Sequence, residues 1–215
     1  MNRRHAGGDP AAAQLAGELG GRIYTALRAG HLDAEPLVEL ACLLEELEVS
    51  TPATREILER PLAQLASTDL TALGGRLLKG INFQPTFALD PSLWRTLEQA
   101  LEVLERDVRA TGLTGELRLV RPDWDSIGHA WVEFRGSCQG NGIWPSEGGD
   151  PVGALASVAE AGQEVIMETI WAAWPVCPVH DLGAHPAFEH HRPVWRCVGA
   201  GSHTVAPVGQ LPPPR

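Results

Sequence analysis

Lysine occurs once in this 215-residue chain, at Lys79, and tyrosine once, at Tyr24; the remaining cationic side chains are arginines. Positive charge is scarce overall: 17 Lys and Arg face 27 Asp and Glu, a formal net charge of −10. That balance argues against nucleic-acid binding driven by whole-molecule charge. No apolar run approaches the roughly 18 residues that a membrane helix needs. Arg3 and Arg4 open the chain, but the stretch 6–21 is broken by Asp9, Pro10, Gln14 and Glu18. No continuous apolar core follows the basic start, so a secretory signal is not expected and the cytoplasm is the expected compartment. Four cysteines are too few for a disulfide scaffold at this length, and there they should be reduced.

What is present reads as globular. Hydrophobic residues make up 44% and charged residues 20%, which excludes a disordered or collagen-like chain, and the length fits one or two domains. Abundant Ala, Gly and Pro with so little lysine matches the codon usage of a GC-rich bacterial genome.

The first half carries helical periodicity. Asp9 followed by Pro10 is a cap-plus-proline helix start, and Leu15, Leu19, Ile23 and Leu27 recur every fourth residue, although Gly20 and Gly21 weaken the segment. Leu37, Leu40, Ala41, Leu44 and Leu47 mark a second helix opening near Asp33. Thr51-Pro52 starts a third, with Ile57 and Leu58 inward, and Leu73, Leu77 and Leu78 mark a weaker fourth after Asp69. Asp90-Pro91 opens the clearest helix, lined by Leu93, Leu97, Leu101, Leu104 and Val108 and expected to continue the same helical layer. No repeat period is visible, which leaves a solenoid without support.

After Thr111-Gly112 the period changes to two. Segments 116–121 and 129–135 alternate apolar and polar residues around a turn, predicting an antiparallel hairpin whose Leu117, Leu119, Val132 and Phe134 face one helix. That helix starts at Asp150-Pro151 and runs to about 171, with Leu155, Ala159, Ile166 and Ile170 inward. The glycine-rich stretch 136–149 reads as loop. Two strands, roughly 194–198 and 203–208, close the chain, and 211–215 should be mobile. The expected class is therefore α+β: a helical region over 1–112, then a region over 113–215 with a small antiparallel sheet, one long helix and a C-terminal zinc-ribbon-like hairpin.

Chemistry concentrates in segment 174–208. Cys177-x-x-His180 has the ligand spacing of a zinc knuckle, and His180-x4-His185 lies within the spacing of paired histidine ligands. Cys197 sits on a strand whose hairpin returns alongside, and His203 is a further candidate in place of His185. Five residues thus compete for four tetrahedral positions: Cys177, His180 and Cys197, with either His185 or His203. His190 and His191 are poorer candidates, adjacent in an exposed loop between Glu189 and Arg192. The same residues also fit a plainer reading, with buried apolar cysteines and unrelated surface histidines.

The ending resembles that of a family of small actinobacterial proteins without an assigned activity. The shared pattern is Trp-Pro-x-Cys-Pro-x-His, His-Pro, Trp-x-Cys and Val-Ala-x-x-Gly-x-Leu. Here these are Trp174 to His180, His185-Pro186, Trp195-Arg196-Cys197 and Val205 to Leu211. The resemblance covers chiefly residues 150–211. It implies that Cys177, His180, His185 and Cys197 belong together, with His203 still open as the fourth position.

Other motifs carry less. The glycines of 136–142 lack the Gly-Lys-Ser/Thr ending of a phosphate loop. Cys138 with His129 imitates a thiol–imidazole pair but offers no visible orienting residue. Asp123, Asp125 and Glu133 read as solvated carboxylates, and the tryptophans of the second half as core or cover for the metal region.

Two functions follow as expectations. One is a non-enzymatic protein stabilised by a single structural zinc ion and acting as an interaction or adaptor module with a protein partner. The alternative is a metal-dependent hydrolase using an open zinc site, with Glu168 or Glu189 as base; no His-Glu-x-x-His motif supports it. From 175 to 215 three arginines face two acids, which is no phosphate-binding surface. Neither nucleic acid nor membrane is expected as a partner.

Overall fold

The computed structural model describes residues 10–61 and 65–213. The architecture is α+β, with a helical N-terminal part followed by small antiparallel sheets. Among the described residues, no helix is long and apolar enough to cross a membrane. Contacts divide the chain into two units, 1–85 and 86–215.

The first unit contains α1 (Pro10–Ala29), α2 (Ala34–Glu46), α3 (Pro52–Glu59) and α4 (Ser67–Gly80). Leu19, Ile23, Leu37, Leu40, Leu44, Ile57, Leu73 and Leu77 form its core. The expected Asp9 cap lies outside the described residues. Leu15 and Leu58 were expected inside and are exposed. Ile57 and Leu58 are neighbours on a helix, about 100° apart, and only Ile57 turns inward. Thr51 and Thr54 cap α3 reciprocally: Thr54 N–H donates to Thr51 Oγ1 (3.1 Å) and Thr51 N–H to Thr54 Oγ1 (2.7 Å). Gly20 admits the Phe83 ring, since a Cβ there would meet it at 2.6 Å.

The helix expected to extend that layer, α5 (Pro91–Ala110), belongs instead to the second unit. Its leucine stripe packs on α6 (Pro151–Ile170), where Gly162 lacks the side chain that would overlap Leu104 Cδ2 and so lets these two helices approach closely. Asp90 caps α5 by accepting from Ser92 N–H (3.1 Å), and Asp150 caps α6 by accepting from Gly153 N–H (2.7 Å).

Strands β1 (Leu117–Val120), β2 (Trp131–Phe134) and β3 (Ser137–Cys138) form an antiparallel sheet in that order. Leu117 pairs with Phe134 and Leu119 with Val132, so all four lie on one face as expected, and β2 packs on α6. β3 occupies residues expected to be loop; Arg135 and Gly136 both have positive φ (52° and 79°), making a two-residue hairpin turn.

The second sheet has three strands rather than two: β4 (His185–Glu189), β5 (Arg192–Cys197) and β6 (His203–Pro207). β4 and β5 are joined through His190 and His191, whose φ of 48° and 61° fit a two-residue turn without glycine. Two buried polar residues fasten this sheet. Gln163 on α6 donates to the carbonyls of Trp174 (2.7 Å) and Ala184 (2.6 Å). Asp107 on α5 accepts from Trp195 Nε1 (2.7 Å), Gly209 N–H (2.6 Å) and Leu211 N–H (2.8 Å). Leu211, expected in a mobile end, is therefore buried and held. Trp174 and Trp195 are core, as expected, whereas Trp124, Trp144 and Trp171 are exposed.

Candidate metal centre

Three short segments build the cluster. The first is the turn after Val176, which forms an isolated bridge with Gly183. Inside that bridge Cys177 N–H donates to the Leu182 carbonyl (2.8 Å) and Asp181 N–H to the Cys177 carbonyl (3.0 Å). This tight loop aims Cys177 and His180 at one point. The second and third segments are the end of β5 and the start of β6, where Cys197 and His203 face each other as a cross-strand pair.

That pairing depends on a β-bulge. Trp195 pairs with Ala206, yet Arg196 pairs with Thr204, so Val205 is the extra residue on β6. In an unbroken ladder Cys197 would face Thr204; the bulge sets His203 opposite it instead. Gly199 completes the fit, because a Cβ there would lie 2.6 Å from His180 Cγ.

The four ligand atoms all lie within 4.8 Å of one another. Cys177 Sγ is 3.9 Å from His180 Nδ1 and 3.4 Å from His203 Nε2, and Cys197 Sγ is 3.4 Å from His180 Nδ1. A tetrahedral ion with bonds of about 2.3 Å to sulfur and 2.0–2.1 Å to nitrogen requires a sulfur–nitrogen edge of about 3.5 Å. The cluster already has that size. Cys177 and Cys197 are fully buried and both histidines partly so.

The local field favours a thiolate. Burial pushes the Cys177 thiol up, but the backbone N–H groups of Val179 and His180 and the side chains of Cys197 and His203 outweigh it and hold it at about 6. Gly199 N–H also donates to Cys197 Sγ (3.3 Å). Such donors stabilise the deprotonated sulfur that binds metal.

Of the five sequence candidates, Cys177, His180, Cys197 and His203 come together and His185 does not. His185 is exposed on β4, paired with Arg196. His190 and His191 sit on the turn between β4 and β5. No carboxylate joins the group among the described residues. Glu189 accepts from Thr204 Oγ1 (2.9 Å) and pairs with Arg196 (3.5 Å), and Glu168 is exposed on α6. Cys138 faces Glu133 across the strand pair, and burial together with that carboxylate raises its pKa, opposite to what a reactive thiolate needs. His129 has an orienting residue that sequence reasoning missed: Asp125, whose Oδ2 lies 3.0 Å from His129 Nδ1. The available signal was the four-residue spacing across the turn.

Comparison with protein-family models, with curated proteins and with solved structures finds no match for this chain.

Proposed function

We propose that the chain holds one structural zinc ion on Cys177, His180, Cys197 and His203, and serves as a zinc-stabilised interaction module without catalytic activity. The carrying observation is that four ligand atoms of two sulfurs and two nitrogens lie within 4.8 Å of one another. That donor set and size suit zinc, and four protein ligands leave no position for water or substrate. The open-site hydrolase is the less favoured reading, because the group offers a fourth candidate ligand and no carboxylate joins it among the described residues. The adaptor part draws on the same turn, which exposes Val176, Val179 and Leu182 around the two ligands it carries.

The test is metal analysis of protein purified without chelator, with cobalt substitution as a second readout. One zinc per chain, and a tetrahedral cobalt spectrum that azide leaves unchanged, are expected. A spectrum that shifts with azide would restore an open site, and metal-free protein with an equally ordered second sheet would remove the zinc. For the adaptor role, Val179→Asp with Leu182→Asp should abolish partner capture while the zinc count stays at one.

A further inference from the structure

The second unit has a cleft of about 500 Å3, away from the metal ligands, lined by His129, Trp131, Trp144, Glu147, Glu160 and Glu164 among others. Its size falls within the range of small-molecule sites. No lysine or arginine lines it.

One wall is a fixed imidazole. Asp125 Oδ1 accepts from Ile127 N–H (3.1 Å), and Oδ2 accepts from His129 N–H (2.8 Å) and Trp131 Nε1 (2.9 Å) and lies 3.0 Å from His129 Nδ1. The turn itself needs only the two backbone bonds. The same carboxylate also fixes two side chains that line the cleft. With Asp125 ionised, the proton of a neutral His129 sits on Nδ1, leaving Nε2 as an acceptor. The Trp144 ring packs edge-on against the imidazole at 4.3 Å and 79°. Both side chains of the dyad are well enclosed: that of His129 is 12% exposed and that of Asp125 7%.

Another part of the lining comes from α6, which carries Glu160 and Glu164, and from the turn Pro145–Gly149, which carries Glu147. Glu164 accepts from Asn141 N–H (3.3 Å) and Glu147 from Trp144 N–H (3.2 Å), which holds both carboxylates in place, while Glu160 is exposed at the rim. An acceptor nitrogen, indole faces and carboxylates without a resident cation call for a ligand rich in N–H donors and positively charged. An anion would meet three like charges.

We propose that this cleft binds a small organic cation whose amidinium, guanidinium or primary ammonium group donates to His129 Nε2, lies against Trp144 and is balanced by Glu160. A flat cation gains from the indole face as well as from the carboxylate. This site is independent of the metal centre and stands or falls without it.

The test titrates the full chain with benzamidine and with its neutral isostere benzamide by calorimetry, while long-range proton–nitrogen NMR follows the His129 ring. Benzamidine should bind at least about tenfold more tightly than benzamide. Glu160→Gln should weaken benzamidine roughly three- to tenfold and Trp144→Ala about tenfold, with benzamide little changed. The Nε2 resonance should move on binding while Nδ1 stays. Glu160 and Trp144 are exposed, and an unchanged circular dichroism spectrum and unfolding midpoint check that both variants keep the fold. Equal affinity for the two probes, no saturation by roughly 20 mM, or indifference to both substitutions would overturn the proposal.

Discussion

Replacing Asp107 by alanine should destabilise the second unit by about 3 kcal/mol. Asp107 is fully buried on α5 and receives three N–H groups from residues 88 to 104 positions later in the chain. Burial pushes its carboxyl pKa up, and the bonds from Leu211, Trp195 and Gly209 draw it back. Each bond to a charged acceptor is worth roughly 1.5–3 kcal/mol, but removing the carboxylate also removes its desolvation cost. Gly209 and Leu211 can regain water if the end of the chain loosens. Trp195 cannot: it is fully buried, so its Nε1 is left unsatisfied at a cost of about 1–3 kcal/mol. Urea unfolding in zinc-saturating buffer, followed by tryptophan fluorescence, measures the loss. A cycle with Trp195→Phe isolates the shared bond, with a coupling of about 1–2 kcal/mol expected. Amide exchange at 208–211 should also quicken in Asp107→Ala. A loss under about 0.5 kcal/mol, or additive single variants, would refute the reasoning.

Three further outcomes are expected. Cys177→Ser should lose the metal, a contribution of roughly 10–16 kcal/mol in peptide systems, and β4–β6 should lose amide-exchange protection while α1–α4 keep theirs; protection unchanged in both units would count against the metal's role. Asp125 should stay ionised well below its ordinary value of 3.8, with a midpoint of about 2 that rises in Trp131→Phe, because the Trp131 bond is the largest cause. Its folded pKa is depressed, so its stabilising contribution is present above pH 3.8 and lost as pH falls from there through about 2, which carbon NMR of the carboxyl group follows. Gly162→Ala should destabilise by about 1 kcal/mol in thermal unfolding, since overlap with Leu104 Cδ2 outweighs about 1 kcal/mol of helix propensity. In a Leu104→Ala background the same change should become stabilising.

Local signals in the sequence carried far. Asp90-Pro91 and Asp150-Pro151 marked two helix starts to the residue, and the alternation in 116–121 and 129–135 placed the right side chains on one face. The Cys177–His180 turn was legible because its geometry is local. The fourth member of the cluster stayed open between His185 and His203, because His203 reaches Cys197 only through the one-residue bulge at Val205, and spacing carries no register. β4 escaped for a similar reason: its turn uses His190 and His191 at positive φ, where Asn-Gly is the usual signature. Asp107 carries no local signal in the sequence, since its three donors arrive from the far end of the chain.

The spread of the ligands along the chain has a consequence for how the ion would stabilise the fold. Cys177 and His180 are three residues apart, whereas Cys177 and His203 are 26 apart, and that span contains all of β4 and β5. An ion bridging them closes a ring around most of the second sheet. By the chain-entropy argument, a covalent cross-link of that length stabilises by about 3–4 kcal/mol through the freedom it takes from the unfolded chain. A metal bridge exerts the same restraint with both thiols reduced, so it works where a disulfide would be cleaved, and a competing chelator can undo it.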